Sequence, residues 1–408
     1  MKFLLISPYF PPEIGSAAHL YFDLAQAWRR RGHEVSVLTG MPRYHVVGNK
    51  GEYQNKLLIK EEYQGLKVIR AFNLDIPWNI PVWRGVDQFV SAFCYGMAGL
   101  GLPPFDVALV YSPPLPLALA ALALCRLRGR PLAVNIQDLF PQSAIDLGVL
   151  KNPHLISLFR RLESFLFREA DWLVVHSEGN RRYILERGGH PDKVSVVPHW
   201  IDTQTLKPSS KLNGYRASLG LEQHFVVSFA GVMGYAQDLE TVLTSAELLR
   251  DQEHIAFLLV GDGVNKPKLV QWAQQQGLHN VHFLPMQPKE KYPEVLAASD
   301  VCLVTLRQEM KTPVVPSKIM SIMAAGRPIL ASLPLESDAP QLIKEARCGL
   351  CLPPGDTQAM AQAISRLGAD QTLRQNMGAE GRRFAVKHFS LERCAAYLES
   401  KLQEMRGR

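Results

Sequence analysis

Val301-Cys302-Leu303-Val304-Thr305-Leu306, followed by Pro313-Val314-Val315-Pro316-Ser317-Lys318-Ile319-Met320-Ser321-Ile322-Met323-Ala324-Ala325-Gly326-Arg327-Pro328, reads as a buried strand, a loop and a short buried helix. Pro316 cannot continue a strand, Ser317 is a favoured N-cap, and Gly326 with Pro328 closes a helix over residues 319–325. The amides of Ser317 and Lys318 are then expected to face the loop. A lysine in a first helical turn opposes the macrodipole unless an anion sits there, and a helix N-terminus itself favours phosphate. A diphosphate group suits this reading; a solvated lysine on a capped helix is the plainer alternative.

The same alternation of strand and helix runs outward from this stretch. Residues 3–7, 34–38, 67–71, 107–111, 132–136 and 172–176 read as buried strands, with helix patterns such as 20–30 and 155–169 between most of them. After a polar passage from Thr203 to Lys211 the pattern restarts at 225–230, 254–260, 281–284, 301–306, 329–331 and 349–352. Two parallel-sheet, Rossmann-like α/β domains are expected, with ligands outside the carboxyl ends of their strands. Residues 391–405 form a polar helix pattern.

The chain has 408 residues, more than one core accommodates, with 47% hydrophobic and 20% charged residues, the composition of a folded protein. A formal charge of +7 and a pI near 9.0 favour anionic partners. No basic tract with interleaved aromatics occurs, so nucleic acid is not expected. The apolar run before Pro8 is too short for a signal peptide, and the apolar helix pattern at 115–125 ends at Arg126 and Arg128, well short of a membrane span. Cys348-Gly-Leu-Cys351 lacks a second such pair, so a turn entering a buried strand is the reading, and a reducing cytoplasmic location is expected. His279 and His282 alternate with Val281 and Phe283 along a strand and are not read as ligands.

Four further stretches sit where strands end. Pro11-Pro12-Glu13-Ile14-Gly15-Ser16-Ala17-Ala18 offers a glycine that lets a ligand approach the backbone. Asn135-Ile136-Gln137-Asp138-Leu139-Phe140-Pro141 offers a carboxylate able to orient a hydroxyl, or else an N-cap. Gly231 and Gly234 follow the strand at 225–230, and Gly261-Asp262-Gly263 follows the next. No Asp-x-Asp and no Walker A loop occur, so neither a metal bridging a diphosphate nor any other cofactor is implied.

These stretches together resemble the glycosyltransferase family 4 branch of the GT-B glycosyltransferases, in particular bacterial polysaccharide enzymes of the colanic-acid and O-antigen type. The likeness rests on Pro316-Ser317-Lys318, the Met323-Ala-Ala-Gly326-Arg-Pro328 turn, Arg29-Arg-Arg-Gly32-His33 and the glycine loops, and spans nearly the whole chain. It implies an acceptor domain over 1–202, a link over 203–222, a donor domain over 223–388 and a final helix over 389–408 that crosses back to the first domain. It implies retaining, metal-independent transfer of a sugar from a nucleotide diphosphate sugar, UDP before GDP, to a lipid-linked or polysaccharide acceptor at the inner membrane face. Gly15, Gly231, Gly234, Gly261, Gly263, Met286, Pro316, Ser317 and Lys318 would then bind the donor, with Asp138 and Lys318 catalytic.

The chain also departs from the family's pattern. Gln137 stands where many relatives carry His, while Val232 and Gln237 replace a basic pair. Arg307 or Lys311 is then expected to assist Lys318. The family's Glu-x7-Glu pair falls on Pro313 and Ser321, so Ser321 is read as a ribose contact and Glu309 as a sugar contact. A nucleotide-sugar 2-epimerase of the same fold and a non-catalytic nucleotide-binding relative are the alternatives.

Membrane contact is read from residues 155–168, where Leu155, Leu158, Phe159, Leu162 and Leu166 form one apolar stripe suited to packing on the sheet. Arg160, Arg161, Phe165, Phe167 and Arg168 would meet a lipid-linked acceptor, helped by Val82, Trp83, Arg84, Phe89 and Phe93.

Overall fold

A computed structural model describes residues 1–13, 15–43, 46, 50–74, 81–313 and 315–407. Ile14, Val314 and the side chains of Ser16, Val82 and Arg84 lie outside the described residues. The chain divides into two units, Met1–Trp200 with Leu391–Arg408, and Ile201–Ser390.

The first unit carries strands β1 (Lys2–Ile6), β2 (Glu34–Gly40), β3 (Leu58–Tyr63), β4 (Leu66–Ala71), β5 (Val107–Ser112), β6 (Leu132–Ile136), β7 (Trp172–Val175) and β8 (Val194–Val196). Their order in the sheet is β3-β4-β2-β1-β5-β6-β7-β8. Every pairing is parallel except β3 with β4, which departs from the all-parallel expectation. Strand β1 shows why the sheet forms. Leu4 and Ile6 enter one core while Phe3 and Leu5 enter the other, so side chains on both faces leave water. Helices α1 (Ser16–Arg30), α2 (Pro81–Leu100), α3 (Leu115–Arg128), α4 (Gln142–Asp146) and α5 (Pro153–Glu169) belong to this unit.

The last helix, Leu391–Arg406, completes the first unit by packing on α1. Trp28 Nε1 donates to the Ala395 carbonyl at 3.0 Å, and Glu399 pairs with Arg31 and, at 2.8 Å, with His33.

The second unit holds β9 (Phe225–Ala230), β10 (Ile255–Val260), β11 (Val281–Leu284), β12 (Val301–Thr305), β13 (Ile329–Ser332) and β14 (Gly349–Leu352), ordered β11-β10-β9-β12-β13-β14 and wholly parallel. The strand order reverses between β9 and β12, as it does between β1 and β5 in the first unit. At such a point successive connections leave to opposite sides and open a crevice beyond the carboxyl ends of the two central strands.

Three expectations are corrected here. Residues 203–222 are not a free link but part of the second unit. Leu206 and Leu221 are buried, and the guanidinium of Arg216, buried in helix Gly214–Leu219, pairs with Asp300 and donates to the carbonyls of Ala298, Leu221 and His224. Ser317 does not cap its helix through its side chain: it has helical dihedrals, φ −58° and ψ −24°, and the helix runs from Lys318 to Ala324. The stripe on α5 is split, because Leu166 is buried while Leu155 and Leu158 are exposed; Phe167, expected at a membrane, is buried in the core.

Candidate active site

The crevice between β9 and β12 is built from two glycine loops and the segment that follows β12. Gly231, directly after β9, has φ 142°, and a Cβ there would stand 3.2 Å from Lys318 Nζ. Gly261, after β10, has φ 156°, and a Cβ there would stand 1.9 Å from the Gly231 carbonyl oxygen. Gly263, at φ 149°, would drive a Cβ to 2.5 Å from the Met233 oxygen. Both the left-handed dihedrals and the close backbone approach demand glycine. The loops are laced together: Met233 N donates to Asp262 O at 2.8 Å, Asn265 N to Met233 O at 3.1 Å, and Asn265 Nδ2 to Gly234 O at 3.1 Å. Lys266 Nζ adds bonds to the carbonyls of Gly261 and Leu284 at 2.7 and 2.9 Å.

Lys318 projects from the start of its helix into this crevice. Its ammonium lies 3.8 Å from the centre of the Phe229 ring and donates to Gln237 Oε1 at 3.5 Å. Loss of water around it pushes its pKa down to about 7. Thus Gln237, which stands in place of a basic residue, is the neutral hydrogen-bond partner of the lysine. Pro316 and Ser317, just before Lys318, are half-buried, and Met286 is half-buried beyond β11.

The remaining donor candidates are placed differently. Arg307 Nη2 donates to Glu240 Oε2 at 2.7 Å and its backbone N to Ala236 O at 3.0 Å, so it braces the Gly234–Asp238 turn. Ser321 is buried and bonds to the Tyr292 hydroxyl, which argues against a ribose contact. Glu309 is exposed on the loop after β12.

In the first unit, Gly15 precedes α1 in extended conformation, and a Cβ there would meet nothing within 4 Å. Asp138, after β6, accepts from Leu139 N at 2.8 Å through Oδ1 and from Ser143 Oγ at 2.9 Å through Oδ2. Burial raises its pKa above the ordinary carboxylate value. Both oxygens are thus engaged at the entry to α4. A cleft that sequence reasoning missed lies beside the ends of β1 and β5, lined by Tyr9, Arg43, Asn73, Asp87, Ser91 and Tyr95. Arg43 Nη2 donates to Asp87 Oδ2 at 2.7 Å, a pairing that no local spacing announces. Arg160, Arg161 and Arg168 line an open groove along α5, and Phe165 is exposed on the same helix.

A switch point with a lysine ammonium beside it and glycine loops around it suits an anionic ligand such as a diphosphate. Family models agree: residues 16–200 match the glycosyl transferase 4-like domain and residues 224–370 match glycosyl transferases group 1. The chain belongs to the glycosyl transferase 4-like family, of GT-B fold, and is a glycosyltransferase. Its relatives include WcaI of Escherichia coli (strain K12), assigned as a glycosyl transferase of colanic acid biosynthesis, 25% identical over 89% of this chain and 91% of that protein. WbjE of Pseudomonas aeruginosa, named as a glycosyltransferase, is 27% identical over 79% of this chain and 81% of its own. Among solved structures, HepE of Anabaena in complex with UDP superposes with a TM-score of 0.72 at 17% identity, covering 99% of this chain and all 100% of that one.

Proposed function

We propose that this enzyme moves a sugar from a nucleotide diphosphate sugar, UDP in preference to GDP, to a lipid-diphosphate-linked or growing polysaccharide acceptor in cell-surface polysaccharide synthesis, with retention at the anomeric carbon. The single observation behind it is the Lys318 ammonium held against Phe229 beside Gly231 at the β9–β12 switch point. The naming of WcaI supports the pathway class, and the UDP complex of HepE supports the base.

In this reading the bond between the anomeric carbon and the diphosphate oxygen breaks, and charge develops on the leaving diphosphate. Lys318 neutralises that charge in a water-poor pocket, where a fixed cation acts far more strongly than in water. The backbone at Gly231, Gly234, Gly261 and Gly263 shapes the pocket, with Pro316 and Ser317 on its rim and Met286 toward the base. Glu309 is assigned to the sugar. One diphosphate oxygen takes the proton of the acceptor hydroxyl as the new glycosidic bond forms. No metal ion or cofactor enters. Gly15 keeps the donor role read from its loop, and Asp138 serves the acceptor side by holding the 138–146 turn in place and not by taking a proton. Arg160, Arg161, Phe165 and Arg168 attend a lipid-linked acceptor at the membrane.

Saturation-transfer NMR against UDP, GDP, ADP and TDP sugars, repeated on Lys318→Ala, tests the reading. Binding of a UDP sugar with slow sugar release, both lost in the variant, is the expected result. Binding with inversion at carbon 2 and no release would point to the epimerase, and no binding to any of the panel overturns the donor site.

A further inference from the structure

Helix α2 presents two unlike faces. Trp83, Val86, Phe89, Phe93, Met97 and Leu100 recur every three or four residues and are all exposed, Phe93 by 69%. A helix of 20 residues is about 30 Å long, so these six form an apolar stripe along its whole length. On the other face, Asp87, Ser91 and Tyr95 line the polar cleft beside β1 and β5. Asp87, the sole carboxylate in α2, is turned inward and held by Arg43, Ser91 Oγ and Leu74 N. The outer face therefore has no negative charge to oppose an anionic surface.

Helix α5 continues this face. The rings of Phe89 and Phe159 stand 6.4 Å apart, and Leu155, Leu158 and Phe165 are exposed beside the groove lined by Arg160, Arg161 and Arg168. Glu163 of α5 is buried, and Glu169 at its end is paired with Arg126 at 3.2 Å. The combined surface is apolar with a cationic flank. Among the described residues no helix is long and apolar enough to cross a membrane. An apolar face opposed by a polar one, flanked by arginines, is the pattern of a helix that lies in a bilayer interface.

We propose that the outer face of α2, with the arginine flank of α5, docks on an anionic phospholipid bilayer, the α2 stripe entering the acyl boundary and the arginines meeting lipid phosphates. The polar cleft behind α2 is then held within a helix's width of the membrane, where the headgroup sugar of a lipid-linked acceptor lies. The placement of the cleft rests on the acceptor reading given above; the docking itself does not.

The test is flotation of the whole protein with vesicles of equal parts phosphatidylglycerol and phosphatidylcholine, and with phosphatidylcholine alone. Wild type is expected to float with the anionic vesicles and to partition at least tenfold less, in approximate terms, onto the neutral ones. Phe89→Ser with Phe93→Ser should lower partitioning roughly tenfold or more at every salt concentration, while Arg160→Gln with Arg161→Gln should lower it about fivefold per arginine at low salt only. Brominated lipid should quench Trp83 emission, an effect absent in Trp83→Phe. Failure of wild type to float, or flotation of both double variants like wild type, overturns the proposal. So does a wild-type dimer that Phe89→Ser with Phe93→Ser dissociates, since a second copy would then cover the stripe. Nucleotide binding measured on the same samples keeps the two readings apart: binding without flotation removes only the docking surface, and flotation without binding removes only the donor site.

Discussion

The Lys318 ammonium sits 3.8 Å from the centre of the Phe229 ring, so the end of β9 and the helix after β12 meet through one cation and one aromatic face. The ring supplies partial compensation for a charge that has lost most of its water, and a bound diphosphate would supply the rest. Binding and protonation are therefore coupled at this residue.

Lys318→Met is expected to weaken nucleoside diphosphate binding at least tenfold, since a charge-assisted hydrogen bond is worth roughly 1.5–3 kcal/mol. Titration calorimetry reads it directly. Because burial holds the folded Lys318 at about 7 against an ordinary 10.5, the unfolded chain binds the extra proton between those values. Stability relative to Lys318→Met should thus rise with pH across that window. At about pH 8 diphosphate binding should also take up a proton, visible as a heat that changes with the buffer's ionisation enthalpy.

Gly261→Ala and Gly15→Ala should behave oppositely. A Cβ at Gly261 strikes the Gly231 carbonyl, so a loss above about 2 kcal/mol of stability and of nucleotide binding is expected. At Gly15 the backbone is extended and nothing lies near the added methyl, so stability should stay within about 0.5 kcal/mol in denaturant titrations. Any fall in turnover of Gly15→Ala then measures the approach of substrate.

Acid should loosen the first unit through two histidines. The rings of His176 and His199 stack at 3.8 Å between centroids, both buried, with His176 Nδ1 against the Val197 carbonyl at 2.9 Å. Burial pushes His176 down to about 4 and His199 well below its ordinary value. The unfolded chain consequently binds more protons below the ordinary histidine range, and stability should fall as pH drops from 6.5 toward 4. His176→Gln with His199→Asn should flatten that slope in urea titrations at successive pH values.

Two substitutions separate a turn-holding role of Asp138 from a catalytic one. Asp138→Asn keeps an oxygen for Leu139 N and is expected to retain kcat within about tenfold, whereas Asp138→Ala should lose about 1 kcal/mol of stability with a raised acceptor KM. A fall of kcat by roughly a thousandfold in Asp138→Asn, with stability intact, would instead make it the proton acceptor.

The strands buried on both faces were legible because nothing interrupts their apolar runs, as in Ile255-Ala-Phe-Leu-Leu-Val260. Strand β3, Leu58-Ile-Lys-Glu-Glu-Tyr63, escaped notice since its side chains alternate only between exposed and half-buried, and an antiparallel edge tolerates that. Strand β8 has three residues, too few for a period. The polar passage after Asp202 looked like a link because the partner that buries Arg216 is Asp300, 84 residues away. Arg43 with Asp87, 44 apart, hid for the same reason, as did the His176–His199 stack. Lys318 stood out because its immediate neighbours already made an uncapped cation improbable without an anion.

The chain leaves the first unit at Trp200 and regains it at Leu391, and the return supplies the carbonyl that receives the Trp28 indole. During synthesis, then, α1 leaves the ribosome long before the helix that covers it, whereas every strand of the second sheet follows in one uninterrupted run. The half that starts first is finished last, and a chaperone guarding the nascent protein would have the uncovered α1 flank as its client until the final helix arrives.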